Sequence, residues 1–134
     1  MTSRKMMQAY QNADRDAAAE TGDPHALVAL LFGELLRHMR LFVTMSEDGN
    51  ENSESRSKHF SRALTIIYGL QSSLDFEQGG EIVENLFRIY EYARQQLLSA
   101  SRTNDTAGTH AAIDALQDIY DAWSQIEYVN KKTG

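Results

Sequence analysis

The sequence predicts an all-α protein, an antiparallel up-down-up-down four-helix bundle with a mobile N-terminal tail. Three observations carry that prediction. Four segments place apolar residues three and four apart, the spacing of one helix face. A single proline in 134 residues leaves long helices almost unbroken. No stretch sustains the alternation of apolar and polar residues that a half-buried strand needs.

Residues 1–22 are polar, rich in Ala, Gln and Asp, and read as a mobile or loosely docked tail whose bulky apolar groups are Met6, Met7 and Tyr10. The bundle domain is assigned to residues 23–130. It opens at Asp23-Pro24, where Asp accepts from an open backbone N–H and Pro, at the first helical position, has no N–H to lose. To about residue 45 this helix carries Leu27, Leu31, Leu35, Phe42 and Met45 on one side. Leu30, Phe32, Leu36, Met39 and Val43 widen the stripe, leaving a narrow polar strip of Glu34, Arg37, Arg40 and Thr44. A helix apolar around most of its circumference must be covered from several sides.

The acidic segment Ser46–Ser55 contains Gly and Asn and reads as a solvated loop. The second helix, near 54–74, places Phe60, Ala63, Leu64, Ile67, Leu70 and Leu74 on its core face, with Ile66 and Tyr68 off it. Asp75–Gly80 interrupts the pattern, because paired glycines favour turns over helix interiors; Leu74 and Phe76 are expected to bury beside that turn. The third helix, near 80–101, carries Ile82, Leu86, Ile89, Ala93 and Leu97, with Val83, Phe87 and Tyr90 as an adjoining line. A turn at 102–106, with Asp105 as cap, leads into a fourth helix near 106–128. Its Ala112, Leu116, Ile119, Trp123 and Ile126 point inward, and Asp114, Asp118 and Asp121 face water. Leu116, Ile119 and Trp123 are expected to be largely buried. Helices of this length are each ~30 Å long at 1.5 Å per residue, and short connections favour antiparallel neighbours.

The net charge of −6 and pI of about 5.1 disfavour a polyanion partner. The adjacent basic pairs, Arg4-Lys5 and Lys131-Lys132, lie at the chain ends. No nucleic-acid partner is therefore expected. With no cysteine, disulfides and thiolate metal sites are excluded. Met1–Glu20 lacks the apolar core of a secretory signal, and no apolar run approaches the ~20 residues of a membrane helix. The expectation is a cytoplasmic protein without membrane insertion.

A helical bundle could in principle hold a carboxylate-bridged di-iron centre, which requires Glu-x-x-His on two helices. None of the four histidines has Glu three residues before it. Glu34 and His38, four apart, read as a surface pair. Gly79-Gly80 lacks the further glycines, lysine and preceding strand of a phosphate loop. No metal, no cofactor and no catalytic residue is expected.

The most specific stretch is Ser72–Tyr92, SSLDFEQGGEIVENLFRIYEY. It resembles the central motif of the flagellin-export chaperone family, FliS. The matching residues are Ser73, Leu74 and Asp75, then Gly79 to Ile82, then Asn85 and Leu86, then Tyr90 and Tyr92. Flanking elements resemble the family in the same order: Ala9-Tyr10 with Asn12; Thr21 to Pro24 followed by Leu27, Leu30, Leu31 and Phe32; Asn104-Asp105; and Asp121-Ala122-Trp123. The similarity spans roughly residues 9 to 125. Gly22-Asp23 stands where the family often has Ala-Ser, and Gly33-Glu34 where Asp-Gly is usual.

The resemblance implies a non-enzymatic, cytosolic export chaperone that binds the disordered C-terminal segment of flagellin. It would prevent premature polymerisation and hold the client ready for type III export, with components of the export gate as second partners. The residues agree with a binding role: the first and third helices carry more apolar surface than one seam consumes, and such grooves accept an amphipathic segment. Tyr10, Ile66, Leu70, Val83 and Phe87 are the expected client contacts. Tyr90 is expected to pack inside, and Tyr92 is left open. Two rival readings remain, a bundle that regulates by binding a different partner helix and a metal-dependent bundle enzyme.

Overall fold

The computed structural model describes residues 24–50 and 52–133, with side chains over 25–50 and 52–125. Four helices make up these residues: α1 (Pro24–Glu47), α2 (Glu54–Ser72), α3 (Phe76–Thr103) and α4 (Ala107–Thr133). Each packs on its sequence neighbours, and α1 also closes on α4. Their directions alternate. His25 near the start of α1 meets Trp123 late in α4, whereas Glu47 at the end of α1 meets His110 near the start of α4. Gln71 late in α2 reaches Glu91 in α3, and Thr109 early in α4 reaches Gln96 late in α3. The architecture is the expected antiparallel four-helix bundle.

The helix ends follow local chemistry. Ser53 accepts from the Arg56 N–H and caps α2. The Asp75 carboxylate accepts from the Glu77 and Gln78 N–H groups and caps α3. Asn104 ends α3 in the left-handed conformation (φ 61°), returning its N–H to the Ala100 carbonyl. Asp105 accepts from Ala107 N as α4 begins. The expected cap at Asp23 and the tail residues Met6, Met7 and Tyr10 lie outside the described residues.

The paired glycines act one residue apart and for different reasons. The chain enters α3 for one turn, breaks at Gly80 (φ 57°, ψ −136°), then continues as one long helix. That conformation is accessible to glycine and costly for any residue with a Cβ. A Cβ on Gly79 would sit 1.7 Å from a Val83 methyl. Gly80→Ala is accordingly expected to destabilise the fold by ~1–3 kcal/mol. A urea melt showing no loss would mean that the break relaxes into continuous helix.

The core draws its bulk from α1, where Phe32, Leu35, Met39 and Phe42 are fully or almost fully buried. Smaller groups come from the other helices: Ala63, Ala93, Ala100 and Ala112, with Ile67, Leu97 and Leu116 between them. Large side chains from one element fill the space left by small ones on its neighbours, as close packing demands.

Several expectations are corrected. Ile66, read as lying off the core face of α2, is 5% exposed and belongs to the core. α2 is covered by both α1 and α3, so its buried stripe is wider than one seam. Ser46 is buried rather than looped out, because α1 continues through it and its hydroxyl bonds back to the Phe42 carbonyl. His38 is fully buried rather than a surface partner of Glu34. Phe76 is 53% and Ile82 72% exposed, while Ile119 and Trp123 are only partly buried. All four lie toward the end of the bundle that holds the α2–α3 turn.

Candidate functional site

At that end, the first turns of α3 leave apolar groups in water. Asp75 sets the start of the helix, and the break at Gly80 re-aims the chain before Ile82 and Val83. Phe76, on the short turn before the break, folds against Phe87 one-and-a-half turns into the long helix, ring centroids 5.7 Å apart and edge-on at 66°. Phe87 remains 38% exposed. Ile82, five residues before Phe87 on the same helix, is also exposed, and Val83 is nearly closed. Asp75, Glu77, Glu81 and Glu84, all exposed, alternate with these groups along the chain, and no basic residue intervenes before Arg88. The patch is thus apolar with an acidic rim.

Beyond it the α2–α3 contact is fastened by Glu91. Its carboxylate accepts from Arg94 on its own helix and from Gln71 of α2. Those donors, Arg94 foremost, pull its pKa down to about 2. Tyr90 packs inside, as expected, and burial pushes its hydroxyl up to about 12, so it stays neutral. Tyr92 and Tyr68 are exposed on other faces.

Of the residues expected to touch a client, the structure brings together Val83 and Phe87, one turn apart on α3. Ile66 and Leu70 are closed in the core, at 5% and 2% exposure. Tyr10 lies outside the described residues. Two members of the patch went unrecognised in the sequence: Phe76 was assigned to the turn's interior and Ile82 to the core stripe. The one local signal was the position of both at the start of a helix, where a periodic stripe outruns the neighbours that would cover it.

Among the described residues, no group of three or more His, Asp or Glu side chains could hold a metal ion. None of their helices is long and apolar enough to cross a membrane. What the arrangement supplies is apolar surface beside carboxylates, which is the chemistry of binding.

Fold and patch together define a helical-bundle protein that keeps an apolar face in water. The chain belongs to the flagellar protein FliS family, whose family model matches residues 6–130. The flagellar secretion chaperone FliS of Salmonella typhimurium is 34% identical over 124 residues, covering 90% of this chain and 88% of its own. Its counterpart in Vibrio cholerae is 30% identical over 129 residues, covering 95% and 93%. The flagellar secretion chaperone FliSB of Pseudomonas aeruginosa is 31% identical over 128 residues, covering 96% and 100%.

Proposed function

We propose that this chain is a flagellar secretion chaperone that binds the disordered C-terminal segment of flagellin in the cytoplasm. It shields the segment from premature polymerisation and keeps it ready for type III export, without catalysing a reaction. The observation that carries this reading is the exposed, edge-on pair of Phe76 and Phe87 on α3, in a chain whose relatives are named as secretion chaperones. Large apolar groups held together in water mark a surface that a partner covers. An amphipathic segment laid along α3 would bury them and set its polar side against the rim carboxylates. Tyr10, from the tail, is a further contact on this reading, and export-gate components are second partners. Ile66 and Leu70 would act from beneath, by holding α2 in place.

Calorimetry with flagellin, intact and lacking its C-terminal segment, tests the assignment. Heat is expected with the intact client and none with the truncated one. Ile82→Asp and Phe87→Asp are each expected to weaken binding about tenfold to a hundredfold, since each removes an apolar anchor and adds a like charge to an acidic rim. Tyr68→Asp, on the exposed face of α2, should leave the affinity unchanged. Equal binding of both flagellin forms would point instead to a different partner segment.

A further inference from the structure

Between α1 and α2 the bundle encloses two histidines. His38 is fully buried, and its Nδ1 lies 2.9 Å from Nδ1 of the part-buried His59, ring centroids 5.1 Å apart. On its other side, His38 Nε2 is 3.4 Å from a terminal nitrogen of Arg37 and 3.5 Å from Glu34 Oε2. Arg37 is itself held by Glu34. With His38 Nε2 accepting from Arg37, its Nδ1–H donates to the bare Nδ1 of His59. One proton is shared across the seam, and the contact tolerates no second one: two N–H groups would then face each other at hydrogen-bond distance with no acceptor between them.

We propose that the His38–His59 pair is an acid-operated latch on the contact between α1 and α2. The charged groups acting on it are Glu34 and Arg37 from α1 and Lys58 and Arg62 from α2. Among the described residues, none from α3 or α4 contributes. Three cations against one carboxylate favour the neutral rings. Burial, first, and then Arg37 hold His38 down at about 4, and burial lowers His59 as well.

The sign follows directly. In the unfolded chain a histidine takes up its proton near 6.5, whereas His38 in the bundle does not until about 4. Between those values the unfolded state binds more protons, so the latch is closed above about pH 6.5 and loses its hold as pH falls toward 4. The inference stands independently of the client proposed above.

Urea unfolding of the full chain at pH 7.5 and pH 5 tests it, with His59→Gln alongside. Glutamine keeps an acceptor for the His38 N–H and cannot be protonated. The other three histidines are common to both proteins, so the difference reports His59. On acidification the unfolding constant of the unaltered protein is expected to rise more than that of the variant, which lacks the His59 ring whose protonation burial opposes. Equal pH dependence would overturn the latch. Ring 15N–1H spectra of the folded protein give a second reading that needs no variant. His38 is expected to stay neutral at pH 5.5, and titration near its ordinary value would overturn the proposal.

Discussion

Phe42→Ala is expected to cost ~3–5 kcal/mol of folding stability, read from urea or thermal unfolding. Its ring is fully buried near the C-terminal end of the core's largest contributor, α1. It packs against Phe60 at 5.5 Å and beneath the Arg56 guanidinium, whose central carbon is 4.7 Å from the ring centroid. Alanine would leave a cavity flanked by side chains of two helices, which cannot collapse without moving both. It would also remove the aromatic face over which a buried cation sits. Since small domains have only ~5–15 kcal/mol in total, such a loss brings this one near its limit. A loss below about 1 kcal/mol would mean that the bundle repacks freely around that site.

Arg56→Ala should cost nearly as much, about 3 kcal/mol, for a different reason. Arg56 is in the first turn of α2, where a cation is unfavourable for its own helix. It is nevertheless 6% exposed. Its Nε donates to the Ser46 hydroxyl at 2.8 Å, and a terminal nitrogen donates to the Ala100 carbonyl at 3.2 Å and to Asn104 Oδ1. The alternation of directions brings the C-terminal ends of α1 and α3 to the same end of the bundle. There the helix dipoles are negative, and the Ala100 carbonyl, which already accepts from the Asn104 N–H, takes a second bond from the guanidinium. One guanidinium serves both ends, and Asn104 completes the joint by donating to the Ser46 carbonyl. Arg56→Lys is expected to recover less than half the loss, since an ammonium keeps the charge but not the fork. Because Phe42 and Arg56 touch, their losses should not add. A double-mutant cycle is expected to show coupling of ~0.5–3 kcal/mol, and strict additivity would remove the ring contact from the account.

The four helices, their breaks and much of the core were legible in the sequence because they depend on local chemistry. Leu35, Leu97 and Leu116 lie on uninterrupted apolar stripes and are fully buried. The Gly79-Gly80 pair breaks the chain where the sequence placed a break, although the helix, capped by Asp75, begins at Phe76 rather than near residue 80. Tyr90 inside and Asp114, Asp118 and Asp121 outside follow from the same 3.6-residue period. The exposed apolar patch was legible only in part. Phe87 belongs to it and Val83 lies one turn away, but Ile66, read as off the core face, and Leu70, read as both core and client contact, are closed in the interior.

What the sequence by itself determined, then, is where each helix runs and which stripe it must hide, because spacing, caps and breakers act within a few residues. Only the tertiary structure decided where cover runs out and which polar groups are drawn inside. Phe76 and Ile82 follow the local pattern for burial, yet the helices that pack on α3 do not cover them, so they remain in water. Arg56, Ser46 and His38 look like surface residues in their own segments. They are buried because distant helices bring carbonyls, a hydroxyl and a second imidazole within reach of them. A polar group can leave water when its hydrogen bonds are replaced. Here the replacements for Arg56 come from as far as 48 residues along the chain, a distance no local pattern encodes.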